Sequence, residues 1–222
     1  MIVVHHLNNS RSQRVLWLLE ELGIEYRVQR YERAAGGLFA PPELRKVHPL
    51  GKSPVIVDGD LTLAESGAIV DYLARRYGPQ LLPAQDSPEF VRYTYWLHYA
   101  EGSAMTPLLL KLVFDRIATS PMPFFARPIA KGIAAKATAS FIQPQLDLHL
   151  DYLESQLGES GWFVGDSFTA ADIQLSFPLE AAASRAGLDN GKRPKLVDFL
   201  KRIHARPAYQ RALEQGGPYV YA

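Results

Sequence analysis

No cysteine occurs among the 222 residues, which excludes disulfide frameworks, thiolate metal sites, Cys-x-x-Cys redox pairs and every cysteine nucleophile. Sulfur chemistry at this protein therefore needs a thiol brought from outside. An excess of charge of either sign is also missing. The 24 Lys and Arg face 23 Asp and Glu, so no global field favours nucleic acid or an anionic membrane surface. No run of about 18 apolar residues exists to span a bilayer. The opening Met1-Ile2-Val3-Val4-His5-His6 lacks the basic stretch and apolar core expected of a signal peptide. What is present is ordinary: 47% hydrophobic residues, enough for a real core, in a length that suits one large or two small domains.

Composition shifts near Gly78. Before it, short β-like runs alternate with helical patterns; after it, nearly everything has helical period. Val3-Val4 lies in a first apolar run. Val15, Leu18, Leu19 and Leu22 then recur at i, i+3, i+4, i+7, with Gly23 as the stop. Tyr26 and Val28 alternate with Arg27 and Gln29, as in a strand. Strand, helix, strand in so short a span predicts a βαβ unit with a parallel pair. Residues 54–57, Asp58-Gly59-Asp60 and residues 61–63 predict a hairpin, and Val70, Leu73, Ala74 and Tyr77 a helix ended by Gly78 as C′ residue.

The expected organisation is a small α/β domain over 1–78 with a mixed four-stranded sheet, a linker over 79–87 and an all-helical domain over 88–222. Ser87-Pro88 predicts an N-cap with Pro at N1, opening a long helix bent at Pro107. A second long helix carries Leu146, Leu150, Leu153 and Leu157 on one face. Thr169-x-x-Asp172 predicts a capping box, and shorter helices are expected over 195–204 and 207–214.

Three segments of the first domain carry chemistry. Asn8-Asn9-Ser10-Arg11-Ser12-Gln13 joins the first strand to the first helix; Ser10-x-x-Gln13 reads as a capping box, and a helix N-terminus with hydroxyls also suits an anion. Gly51-Lys52-Ser53-Pro54-Val55 reads as a loop entering a strand. With a cis Ser53–Pro54 bond, the Ser53 main chain would face an extended peptide. Glu65-Ser66-Gly67-Ala68-Ile69 opens a helix and suits a zwitterion, Glu65 taking an ammonium and Ser66 with its N–H a carboxylate. Each alone is compatible with simple capping or strand entry. No metal site is expected: His5 and His6 are neighbours on a strand and point to opposite faces, and the other histidines lack ligand spacing.

In their order and spacing these segments resemble the glutathione S-transferase superfamily. Phe168-Thr-Ala-Ala-Asp-Ile173 is similar to its helix-capping motif, and the resemblance covers nearly the whole chain. His6-Leu-Asn-Asn-Ser10-Arg11 and Leu16-Trp-Leu-Leu-Glu-Glu21 look most like the serine-type, theta-like bacterial and fungal subgroup. The resemblance implies a thioredoxin-like first domain and a cytoplasmic homodimer without a resident cofactor or a nucleic-acid or membrane partner. Glutathione is the implied co-substrate, attacking a small hydrophobic electrophile. Lys52, Ser53 and Pro54 would hold the tripeptide backbone, and Glu65 with Ser66 its γ-glutamyl end. Ser10 is the first candidate to donate to the thiolate, Asn9 the second and Ser12 the third; no Tyr lies between Met1 and Glu25 to do so. A ligand carrier without turnover, or a peroxidase or isomerase on the same site, is the alternative.

A free thiol has a pKa of about 8.5, and lowering it by about two units requires roughly 2.7 kcal/mol of preference for the thiolate. One hydrogen bond to a charged group contributes ~1.5–3 kcal/mol and a helix N-terminus ~0.3–1 kcal/mol. One neutral donor and one dipole suffice. Cysteine-type members of the family, which form mixed disulfides with glutathione, are excluded because no residue here can take one. Tyr95, Tyr99, Gly102, Thr106 and Leu109 share one face of the first long helix, with His98 and Met105 beside it. That face is either a wall of the electrophile pocket or helix–helix packing.

Overall fold

The computed structural model describes residues 1–33, 37, 39–189 and 191–222. The N-terminal domain contains β1 (Ile2–Leu7), α1 (Ser12–Leu22), β2 (Tyr26–Tyr31), a 3₁₀ turn (Pro42–Lys46), β3 (Val55–Asp58), β4 (Leu61–Ala64) and α2 (Ser66–Tyr77). Its sheet runs β2-β1-β3-β4, with β1 parallel to β2 and the other pairs antiparallel. Ile2, Val4 and His6 point inward from β1, as the period of two requires. This is the mixed four-stranded sheet expected from the βαβ and hairpin patterns.

Helix α1 goes beyond its sequence pattern. Its heptad-like face, Val15, Leu18 and Leu19, is buried, but Leu16, Trp17, Gln13 and Arg14 are buried as well. The C-terminal helix α9 (Pro207–Gly216) covers the side that an isolated amphipathic helix would expose. Trp17 meets Tyr209 of α9 edge to face at 5.3 Å. Gly23 ends α1 at φ 64°, donating to the Glu20 and Leu19 carbonyls. Gly78 ends α2, but at φ −138° rather than in the left-handed C′ conformation expected. It is small for space: a Cβ there would lie 2.2 Å from Leu22 Cδ2.

The helical part contains α3 (Pro88–Tyr99), α4 (Met105–Thr119), α5 (Arg127–Ala137), α6 (Gln143–Gln156), α7 (Ala170–Arg185), α8 (Pro194–His204) and α9. Ser87 caps α3 through Phe90 N–H at 3.2 Å. The predicted bend at Pro107 appears as a wider π turn over Ala100–Ala104 between α3 and α4, and a second π turn, Thr138–Ile142, precedes Pro144 in α6. Both follow from the same constraint. A proline supplies no N–H to the carbonyl four residues back and its ring presses on that carbonyl, which the wider turn relieves. Among the described residues no helix is long and apolar enough to cross a membrane.

The Thr169–Asp172 capping box forms as expected. Buried Asp172 accepts from Thr169 N–H at 2.8 Å and Thr169 Oγ1 at 3.0 Å, and its other oxygen from Phe163 N–H at 2.9 Å. Asp172 thereby starts α7, whose residues 170–182 are all buried at the centre of the helical domain. Asp172→Ala leaves two buried main-chain donors unmatched and is expected to destabilise the fold by about 2–4 kcal/mol, read as a lower midpoint in urea at unchanged m-value.

Candidate functional site

The C-terminal end of β1 and the start of α1 bring the three segments together. Leu7 N–H is shared between Ser12 Oγ and Ser53 Oγ, each at 3.2 Å, and Ser53 Oγ donates to the His5 carbonyl at 2.9 Å. Ser53 thus stitches the strand entry to β1. The Ser53–Pro54 peptide is cis. Residue 53 lies before the first ladder pair, His5↔Val55, and its main chain bonds to no described residue. Lys52 is exposed beside it, and Pro54 is buried.

The loop before α1 differs from its capping-box expectation. Helix α1 begins at Ser12 after Arg11, and Ser10 Oγ accepts from Ser12 N–H at 3.2 Å instead of reaching the third residue. The buried Gln13 amide makes no hydrogen bond to a described residue, so the reciprocal half of the box is missing. Gln13 is pinned under α9, where its Oε1 lies 2.3 Å from the place a Cβ on Gly216 would take. Burial of this face of α1 holds the amide away from the cap.

The hydroxyls of Ser10 and Ser12 belong to one chain of contacts with His6. Burial, with Arg30 nearby, lowers the pKa of His6 to about 4, so its ring is neutral at pH 7 and carries one N–H. His6 Nδ1 faces Ser12 Oγ at 2.9 Å. Ser12 Oγ in turn lies 2.7 Å from Ser10 Oγ and 3.4 Å from the Leu7 carbonyl. Both residues are buried.

Asn9 sits outside this chain. It is half-buried at φ 50°, a left-handed conformation that asparagine tolerates. Its Oδ1 accepts from Val220 N–H at 2.9 Å, and its Nδ2 bonds to no described residue. Asn8 anchors the loop from the other side, accepting from the Arg33 N–H at 3.1 Å and from the Arg33 guanidinium.

The third segment meets a residue that sequence patterning does not reveal. Glu65 is exposed at φ 69° ahead of α2, while Ser66 is buried. Ser66 Oγ accepts from Arg14 at 2.6 Å and lies 3.5 Å from Glu101 Oε1, in the π turn of the helical domain. Glu101 pairs with Arg14 and, at 2.8 Å, with Arg11; Arg14 also donates to the Gln174 carbonyl of α7. Burial raises the Glu101 pKa, but Arg14 and Arg11 outweigh it and hold the carboxylate below its ordinary range. Two guanidiniums against one carboxylate, beside the N-termini of α1 and α2, leave the local field positive. The arrangement suits a flexible zwitterion whose anionic groups face these helix starts.

The aromatic stripe divides. Tyr99 is buried and its hydroxyl bonds His149 at 2.7 Å, whereas Tyr95, at 44% exposure, lines an open groove on α3 with Phe90, Val91 and His98. That groove holds none of the loop, strand-entry or α2 residues above.

His6 makes the fold sensitive to acid. A histidine whose folded pKa is depressed binds its proton mainly when unfolded, so its contribution is present above pH 6.5 and lost as pH falls towards 4. Asp172, raised by burial to about 6, titrates nearby with the opposite sign, losing stability as pH rises. The comparison with His6→Gln cancels it. Between pH 7.5 and 4.5 the unaltered protein is expected to lose about 2–3 kcal/mol more than the variant in urea unfolding.

Comparison with known proteins places these features in a family context. The glutathione S-transferase N-terminal domain profile matches residues 1–75 and a C-terminal domain profile residues 122–215. The chain is 38% identical over 216 residues to Glutathione S-transferase 3 of Schizosaccharomyces pombe, covering 97% of this chain and 88% of that protein. It is 33% identical over 223 residues to Glutathione S-transferase 1 of Saccharomyces cerevisiae, covering 97% and 95%. A solved glutathione S-transferase from Actinobacillus pleuropneumoniae superposes with a TM-score of 0.79 at 33% identity, over 99% of this chain and 94% of the other.

Proposed function

The chain belongs to the glutathione S-transferase family and is a glutathione transferase, and on that premise we propose how its own residues hold and activate the thiol. Asn9, not Ser10, donates to the sulfur. The engagement of Ser10 carries this reading: its buried hydroxyl is held by Ser12 Oγ at 2.7 Å and Ser12 N–H at 3.2 Å, while the Nδ2 hydrogens of half-buried Asn9 have no described partner. A neutral amide donor beside the start of α1 supplies the one hydrogen bond and one dipole that the thiol requires. The mechanism keeps the neutral donor of the serine-type subgroup and replaces its hydroxyl by an amide.

Around that donor the tripeptide lies across the three segments. The Ser53 main chain, outside the ladder, pairs with the cysteinyl residue of glutathione after the manner of an added strand, with Pro54 setting the strand entry. Exposed Lys52 meets the glycine carboxylate, and Glu65 the γ-glutamyl ammonium. The Ser66 N–H at the start of α2 takes the γ-glutamyl carboxylate, because the Ser66 hydroxyl already serves Arg14 and Glu101. The thiolate then attacks a small hydrophobic electrophile held alongside, and proximity supplies most of the acceleration. The protein acts as a cytoplasmic homodimer in this scheme. The apolar groove of Phe90, Val91 and Tyr95 on α3 supports the subunit contact.

The experiment is an ultraviolet titration of enzyme-bound glutathione with turnover of chlorodinitrobenzene. Asn9→Ala is expected to raise the thiol pKa by about one unit or more, which from a bound pKa about two units below the free value lowers the thiolate fraction at pH 7 by about threefold or more, with kcat falling alongside. Ser10→Ala shifts the titration by less. The reverse order of the two shifts returns the role to Ser10.

A further inference from the structure

The structure assigns a role to the C-terminal tail, residues 217–222: we propose that it positions Asn9 by fixing which end of its amide faces the thiol. Val220 N–H donates to Asn9 at 2.9 Å, and a main-chain N–H is matched only by the amide oxygen. The contact therefore selects one of the two flips, with Oδ1 toward the tail and the Nδ2 hydrogens away from it. The opposite flip would set N–H against N–H at Val220 and turn a carbonyl oxygen toward a thiolate, which repels it. This inference rests on Asn9 being the sulfur donor.

The tail is itself held by the helical domain. Gly217, at φ 81°, reverses the chain as it leaves α9, and Arg30 of β2 donates to the Gln215 and Glu214 carbonyls there. Tyr219 donates to Glu180 Oε2 at 2.6 Å, a carboxylate 2% exposed that also accepts from Tyr209 at 2.7 Å. Tyr221 accepts from Arg185 at 2.6 Å and packs edge to face on Phe177 at 5.7 Å. The side chain of Val220 between them is 67% exposed, so only its main chain is engaged with the loop. An anchored strap with one N–H aimed at one amide is what orientation control requires.

Val220→Pro removes that N–H. A deletion of residues 220–222 removes it as well but leaves Tyr219 on Glu180, and it carries the same reading if Val220→Pro does not fold. Each is expected to raise the pKa of enzyme-bound glutathione by about half to one unit, a thiolate fraction about 1.5- to threefold lower at pH 7. kcat should fall in parallel while KM for glutathione moves by less than about twofold. In an Asn9→Ala background neither change shifts the titration further. Wild-type titration in both tail variants, with Asn9→Ala shifted, overturns the tail's role and leaves the donor reading standing. A tail effect that persists in the Asn9→Ala background also overturns it. An unshifted Asn9→Ala protein removes the donor reading and the proposal with it.

Discussion

Arg14 donates to Ser66 at the start of α2, to Glu101 in the π turn of the helical domain and to the Gln174 carbonyl of α7, from a side chain 1% exposed. A guanidinium this deeply buried survives only with its charge paired and its hydrogens placed, and one of its N–H groups, on Nε, still finds no partner among the described residues. The geometry of the site depends on that constraint. It fixes the first turn of α1 against the first turn of α2, and both against the other domain. Arg11 and Arg14 also lie over the Phe177 ring at 5.2 and 5.7 Å, so the same two side chains pack as well as pair.

Around this clamp, the start of α1 is organised by a buried chain of contacts. His6 is neutral because it is buried, and Ser12 and Ser10 follow it at 2.9 and 2.7 Å. The loop residue left outside the chain is the one with a left-handed backbone and a bond to the tail. Each domain contributes: β1 brings His6 and Leu7, and the tail the Val220 N–H.

Much of this was legible before any coordinates. The period of Val15, Leu18 and Leu19, the hairpin around Asp58-Gly59-Asp60, the Ser87 cap and the Thr169–Asp172 box depend on neighbours within a few residues, and each formed as expected. Pro107 announced a break in the long helix, though not that a π turn would absorb it. The apparent box at Ser10 and Gln13 failed because α9, nearly two hundred residues later, buries Gln13; local spacing carries no trace of that. Glu101 was likewise silent in the sequence, being one acid among 23 until the fold sets it between two arginines.

The sequence by itself therefore determined the order of strands and helices, the segments that gather at the end of β1, and a chemistry that must borrow its thiol because the chain has none. Short-range periodicity, caps and composition encode those things directly. Which of three neighbouring side chains presents a hydrogen to a ligand was decided only by the tertiary structure. Asn9, Ser10 and Ser12 lie within four positions of one another, but their hydrogen bonds run to His6 on β1 and to Val220 in the tail. A hydroxyl's single hydrogen and an amide's two ends are assigned by whatever stands opposite them. Here that is a buried imidazole and a tail from the far end of the chain.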